Sequence, residues 1–302
     1  MSGIDRMHST KKTPLPPQFL LRFNKVDPES WIGLPRGRFT NPSMISSGLL
    51  MSILMVLIYG SSYAFRNSAN GFGAIAWRYL TAFDGIPIAI ALLTTWSIAI
   101  LAIKLVKIRA QRMALSIQFM PRDPMWVLNG TTAESVIAEI GARVEEPEQF
   151  MYLKRTLGVL KTMRNIGRIA DVDELFESRA GADESVIDGG YTPIKAFIWG
   201  IPVLGFIGTV FGLTTATANF GKVLNDPKMK QNLEELAGGL TGVLGGLDTA
   251  FVTTAEGLVA AFFLYMAQTI VKQADERLLD DVRDACSDRI VTRVRIDQAR
   301  DG

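Results

Sequence analysis

The sequence predicts an all-α fold: a polytopic helical membrane protein with about four transmembrane helices and a helical cytoplasmic domain. Three observations predict it. Uncharged apolar runs of membrane-crossing length alternate with charge-rich stretches. Basic residues gather on alternate connections between those runs. The stretch between the second and third runs repeats its apolar residues at three- and four-residue steps. The 302 residues carry a formal net charge of only +2, so the segregation of charge is informative and its sum is not.

Residues 1–43 form a polar leader with Pro14, Pro16, Pro17, Pro28, Pro35 and Pro42. The first apolar run begins only after it, too late for the h-region of a cleavable signal peptide. Its composition predicts a disordered or loosely packed segment.

The apolar runs extend from about Met44 to Phe65, Ile86 to Ile108, Ile194 to Ala218 and Leu244 to Ile270. Each reaches the ~20 residues that a hydrocarbon core of ~30 Å demands of a helix. Ser46, Ser47 and Ser52 thin the first run, which also fits an interfacial helix. Residues 44–108 therefore read as two transmembrane helices joined by a short periplasmic loop. Residues 109–193 read as a helical cytoplasmic domain, 194–270 as a second transmembrane pair, and 271–302 as a charged helical tail.

Orientation follows from the basic residues. Arg6, Lys11, Lys12, Arg22, Lys25, Arg36 and Arg38 lie in the leader; Lys104, Lys107, Arg109 and Arg112 follow the second run; Lys272, Arg277, Arg283, Arg289, Arg293, Arg295 and Arg300 lie in the tail. The other two connections hold only Arg66 and Arg78, and Lys222, Lys228 and Lys230. Positive loops stay inside, which places both termini and the central segment in the cytoplasm.

Within the central segment, Phe150, Leu153, Leu157, Leu160, Met163, Ile166 and Ile169 predict one helix over 148–178. Lys154, Arg155, Lys161, Arg164 and Arg168 on its other face read as solvated surface. Thr131 or Thr132, ahead of Glu134 and Ser135, predicts the start of an earlier helix reaching Val144. Gly181 and Gly189-Gly190 punctuate the return to the membrane. In the tail, Leu278, Leu279, Val282, Ala285, Cys286 and Ile290 keep helical spacing, as a helix that bundles with the central domain or with copies of itself.

Chemistry is narrowly bounded. His8 is the only histidine and Cys286 the only cysteine, which argues against a His-based triad, a His-ligated metal or haem, and a multi-cysteine metal site. The spans hold no carboxylate pair at hydrolase spacing. No enzyme activity, cofactor, metal or nucleic-acid partner is expected.

The informative residues lie in the last two spans. Gly205, Gly208, Gly212 and Ala216 leave one helix face nearly bare, a face built for close helix packing. Thr209 lies about nine residues from the outer end of its span, and Thr253 and Thr254 about ten from the outer end of theirs, so the three hydroxyls fall at nearly one depth. Glu256 lies near the midplane, where an ionised acid costs at least ~2–3 kcal/mol, and Asp248 lies nearer the outer mouth. No Lys, Arg or His lies in the central part of either span to pair with them. Thr209, Thr253, Thr254, Glu256 and Asp248 are thus candidate ion-pathway residues. Bland readings stand beside these: threonines that bond back to their own helix, and a neutral acid bonded inside the bundle.

The combined pattern resembles the MotA/TolQ/ExbB proton channel family. The matching residues are Pro202, Gly205, Gly208-Thr209-Val210 and Gly212, then Thr249-Ala250-Phe251-Val252-Thr253-Thr254 followed by Gly257-Leu258. The resemblance covers roughly Met151 to Asp280. It implies a bacterial inner-membrane channel subunit, typically in a homopentamer, that encloses the membrane helices of a smaller single-span ExbD/MotB/TolR-like partner. It makes 194–270 the pore-forming pair, with Thr209 and Thr254 at the pore-lining positions. Pro202, Gly205, Gly208, Gly212 and Gly257 are then helix-packing positions. In that picture the partner carries the proton-bearing aspartate, and ion flow drives mechanical work on it. The roles of Glu256 and Asp248 do not carry over. Glu256 stands at a usually apolar position, and Asp248 stands beside one that is often acidic. Four spans match the layout of flagellar stator subunits, whereas the wording of the last span is nearer the ExbB and TolQ branches. The alternative reading is a structural membrane scaffold that uses the same glycines for packing alone.

Overall fold

The computed structural model describes residues 21–31, 33–65, 85–121, 126–162, 169–225 and 233–294. In chain order these form β1 (Leu21–Arg22), α1 (Phe23–Val26), α2 (Pro28–Trp31), α3 (Met44–Ala64), α4 (Ile86–Leu115) and α5 (Gly130–Arg143). β2 (Val144–Glu145), α6 (Met151–Thr162), α7 (Ile169–Gly189), α8 (Thr192–Asn225) and α9 (Leu233–Arg289) follow. Short 3-10 turns occupy Pro147–Gln149 and Val291–Arg293. The fold is all-α in substance: among the described residues the one small sheet is a parallel pairing of Leu21 with Val144 and Arg22 with Glu145.

Among the described residues four helices, α3, α4, α8 and α9, are long and apolar enough to cross a membrane. The first is set by Ser43, whose side chain accepts the Ser46 N–H at the helix start. α4 begins with Pro87 in its first turn, where the missing N–H has no intrahelical partner to lose. α8 and α9 lie side by side along their length, α4 packs on both, and α3 lies against α4. Ile90, Ile201, Ala261 and Leu264 form the apolar contact among α4, α8 and α9.

At 57 residues, α9 is roughly 85 Å long, nearly three times the thickness of a hydrocarbon core. Its second half therefore leaves the apolar layer. Leu278, Val282, Ala285 and Cys286 of α9, with Ile290 beyond it, join Phe150, Leu153, Leu157 and Leu160 in one buried core, here called the headpiece. The tail thus bundles with the central segment.

Several local expectations are corrected. The helix expected over 148–178 starts later, at Met151, because Glu146 takes φ 55°, Pro147–Gln149 forms a 3-10 turn and Phe150 is extended. The described helix then ends at Thr162, and α7 runs from Ile169 through Gly181 to Gly189. Met163, Arg164, Ile166 and Arg168 lie outside the described residues, as do Arg6, His8, Lys11, Lys12, Arg66, Arg78, Lys228, Lys230, Arg295 and Arg300. Gly181 does not punctuate the chain, whereas Gly189 and Gly190 do. Asn129, not a threonine, caps α5: its side chain accepts the Thr132 N–H at 2.9 Å, and the Thr132 hydroxyl accepts the Asn129 N–H at 2.8 Å. Arg155 is not solvated surface. It is buried and donates to Asp183 at 2.7 Å.

The second half of the leader is also more ordered than its composition suggests. Residues 21–31 and 33–43 strap the headpiece end of the membrane bundle, with Phe23 edge-on to Phe150. The anchors are charged. Lys107 of α4 is 1 % exposed and pairs with Glu29, and it lies 3.6 Å from Asp27. Glu29 also accepts the Gly37 and Ser43 N–H groups at 2.7 and 2.6 Å, and the Ser46 hydroxyl. Burial acts to raise the Glu29 carboxyl, but the hydrogen bonds from Lys107, Ser46, Gly37 and Ser43 outweigh it and hold the group below its ordinary value. Burial, with the neighbouring Glu29, pushes Asp27 up despite Lys107. One turn away, Lys104 pairs with Asp275 at 3.0 Å and donates to Asn41 at 2.8 Å, while the Tyr191 hydroxyl donates to Asp275 at 2.7 Å. The leader, α4 and α9 are thereby joined with Tyr191, which directly precedes α8, in one buried polar junction.

Candidate functional site

The site is the seam between α8 and α9. α8 turns Gly205, Gly208, Gly212 and Ala216 inward, all buried, against Gly246, Ala250, Thr253 and Gly257 of α9. The approach is close enough to depend on glycine. A Cβ added at Gly212 would lie 2.6 Å from both the Ala250 nitrogen and the Gly246 oxygen, and one at Gly208 would collide with the Thr253 side chain. The Gly205 and Gly257 positions are similarly tight, at 2.8 Å from the Thr253 oxygen and 3.0 Å from the Ile201 oxygen. Pro202 sits inside α8 one turn before this contact, where its missing N–H removes the bond to the residue 198 carbonyl.

Thr209 occupies the middle of the 34 residues of α8, roughly 25 Å from either end. Its hydroxyl meets the Thr254 hydroxyl directly. Each also reaches main-chain carbonyls: Ala250 at 3.1 Å from both, and Gly205 at 3.4 Å from Thr209 and 3.2 Å from Thr254. Both threonines are half-buried, so the pair has an open side. Two hydroxyl protons are shared among two carbonyls and the hydroxyls themselves. Oxygen lone pairs therefore remain free to accept a hydrogen bond from a third group on that open side.

Of the other candidates, Thr253 reaches the same Gly205 and Ala250 carbonyls, at 3.5 and 3.4 Å, but from the closed side of the seam, and Asp248 and Glu256 stand apart from the pair. Thr253 is fully buried and its hydroxyl donates to the Thr249 carbonyl at 2.8 Å, so it serves the helix contact and presents nothing to an open side. Asp248 is exposed and lies about 9 Å further along α9. Glu256 is two residues beyond Thr254, about 200° around the helix, and points to a different side of α9. Its Oε2 is enclosed and has no hydrogen-bond partner. Thr209 and Thr254 thus stand at one level, and Glu256, close to them in depth, stands at a different angle around α9.

Among the described residues no group of three or more His, Cys, Asp or Glu is placed to hold a metal ion. The functional groups that sequence reasoning passed over are Asp27, Glu29, Asn41, Tyr191 and Asp275, the partners of Lys104 and Lys107. The available signal was the position of two lysines immediately inside a membrane span.

The seam falls inside a recognisable segment. Residues 150–284 match the MotA/TolQ/ExbB proton channel family, from the turn before α6 through most of α9. Neither the curated proteins nor the solved structures give a significant match to the chain. Pro202, the glycine seam and the threonine pair all lie within residues 150–284, the segment that matches the MotA/TolQ/ExbB proton channel family.

Proposed function

We propose that this multi-pass membrane protein is the ion-channel subunit, for protons, of an inner-membrane motor that converts ion-motive force into mechanical work on a partner. The observation that carries this reading is the Thr209–Thr254 hydroxyl pair, half-open at mid-span on the glycine seam of a channel-family segment. In this reading α8 and α9 from several copies, a homopentamer, form the wall of a pore. The smaller single-span partner lies inside and supplies the carboxylate that carries the ion. The threonine oxygens accept hydrogen bonds at the level where that carboxylate is loaded and unloaded. Both termini and the headpiece face the cytoplasm, as the distribution of Lys and Arg argues.

A second reading is favoured by one specific observation. Every threonine hydroxyl of the seam already has a carbonyl acceptor within its own subunit, which is all that a packing scaffold would need. The two readings separate in one experiment. The protein is purified with its genomic neighbours co-expressed, its mass is measured intact, and proton flux is followed in proteoliposomes. Channel function requires a single-span subunit in the complex and a flux that Thr209→Val removes while the complex persists. A complex without such a subunit, or flux indifferent to Thr209→Val, overturns the channel reading.

A further inference from the structure

Glu256 has no place in the function proposed above. It faces away from Thr254, yet its Oε2 is enclosed by protein with no hydrogen-bond partner. Its carboxyl acts electrostatically on Tyr59 of α3, whose hydroxyl is likewise enclosed and without a partner. Two polar groups from two different helices are thus left unsatisfied in one region of the bundle. Within a bilayer no bulk water is at hand to satisfy them, and buried orphans of this kind mark a missing occupant.

The surroundings decide what the occupant is. Among the described residues of the spans no cation is at hand: α3 carries no charged residue, α4 has none before Lys104, and α8 has none between Lys195 and Lys222. On α9 the nearest charged residues are Asp248 and Lys272, several turns away in opposite directions. The remaining titratable groups on the neighbouring elements are Tyr59 and Tyr63 of α3 and Tyr265 of α9. Two oxygens are too few to hold a metal cation, whereas a carboxyl that takes up one proton becomes neutral and gains a donor that complements a phenol.

We propose that Glu256 of α9, acting with Tyr59 of α3, is a second protonation site of the membrane bundle, separate from the Thr209–Thr254 pair. The ligand is one proton, taken up by the carboxylate without any covalent step beyond the O–H bond. Its occupancy is coupled to α3, the least enclosed of the four spanning helices. The neutral acid lets α3 keep its seat on α4 with the Tyr59 hydroxyl enclosed, and the ionised acid requires water beside it.

Labelling tests this directly. The full chain in lipid nanodiscs is treated with dicyclohexylcarbodiimide, which adds to protonated carboxyls in apolar surroundings, and the adduct is located by peptide mass spectrometry. The adduct is expected on Glu256, with a yield that falls as pH rises. It should disappear in Glu256→Gln, persist in Asp248→Asn and Thr209→Val, and shift its pH midpoint in Tyr59→Phe. Absence of adduct on Glu256 at every pH overturns the site, as does a midpoint that ignores Tyr59→Phe. Fragment masses locate the adduct in the wild-type chain alone, so a variant that fails to fold does not block the decision. Persistence in Thr209→Val separates this result from the fate of the channel reading.

Discussion

Thr209 and Thr254 meet hydroxyl to hydroxyl across the α8–α9 seam, and both reach the Ala250 carbonyl at 3.1 Å. One main-chain oxygen therefore serves two side chains, and neither hydroxyl depends on the other alone for a partner. Replacing either threonine by valine leaves every carbonyl of the seam in place and keeps the side-chain volume nearly constant. The stability loss should be small, about 0.6 kcal/mol, the average for a side-chain hydrogen bond between membrane helices. Thr209→Val and Thr254→Val are thus expected to assemble normally by native mass measurement yet to lose proton flux in proteoliposomes.

The glycines of the seam should respond to size rather than polarity. Gly212→Ala places a methyl 2.6 Å from backbone atoms of Ala250 and Gly246, which cannot rotate away. About 1–3 kcal/mol of destabilisation is expected from such overpacking, read as a lower thermal midpoint of the purified protein. Gly245, in the same helix, has nothing near its added Cβ. Gly245→Ala is expected to stabilise α9 by up to about 1 kcal/mol through helix propensity. A seam of no structural consequence would make the two variants alike.

Lys161 and Arg155 belong to one helix and one expected basic face, but they predict opposite outcomes. Arg155 is 3 % exposed and bonded to Asp183, so Arg155→Ala strands a buried carboxylate and should cost about 3–5 kcal/mol. Lys161 is exposed and lies 3.3 Å from an exposed Glu148, a pair worth at most about 1 kcal/mol. Denaturant midpoints of Arg155→Ala and Lys161→Ala measure the difference.

This contrast shows where the sequence was legible. Long uncharged runs report membrane helices directly, because the bilayer imposes length and apolarity residue by residue. Thr209 and Thr254 were locatable because two antiparallel helices of known rise fix depth. Angle around a helix was harder to use: Glu256 shares the depth of the threonine level but not its face, and Thr253 shares the face turned to α8 but is closed off by Gly208. Burial of charge was not legible at all. Arg155, Lys104 and Lys107 look like surface residues until their carboxylates arrive from positions 28 to 171 residues away. The second half of the leader was hidden for the same reason, since a polar strap is ordered by specific pairings that composition does not record.

The strap yields a pH-dependent prediction. The folded state holds Glu29 below its ordinary value of 4.5, so its contribution is fully present above 4.5 and is lost as pH falls through the lowered folded value. Asp27 is displaced the other way, above its ordinary value of 3.8. It favours the folded state when protonated, and that contribution is lost as pH rises through the raised folded value. The strap should therefore hold most firmly around the two ordinary values, 3.8 and 4.5, and loosen on either side, with attachment read by its amide hydrogen exchange. Glu29→Gln is expected to blunt the acid-side loss. Asp27→Asn, which keeps the side chain neutral at all pH, should bind the strap more firmly than wild type at neutral pH. Lys107→Met leaves two buried acids facing each other without their shared cation, and should release the strap at a cost of about 3–5 kcal/mol. Strap protection that stays flat with pH, or that survives Lys107→Met, would show that apolar contacts such as Phe23 on Phe150 hold it instead.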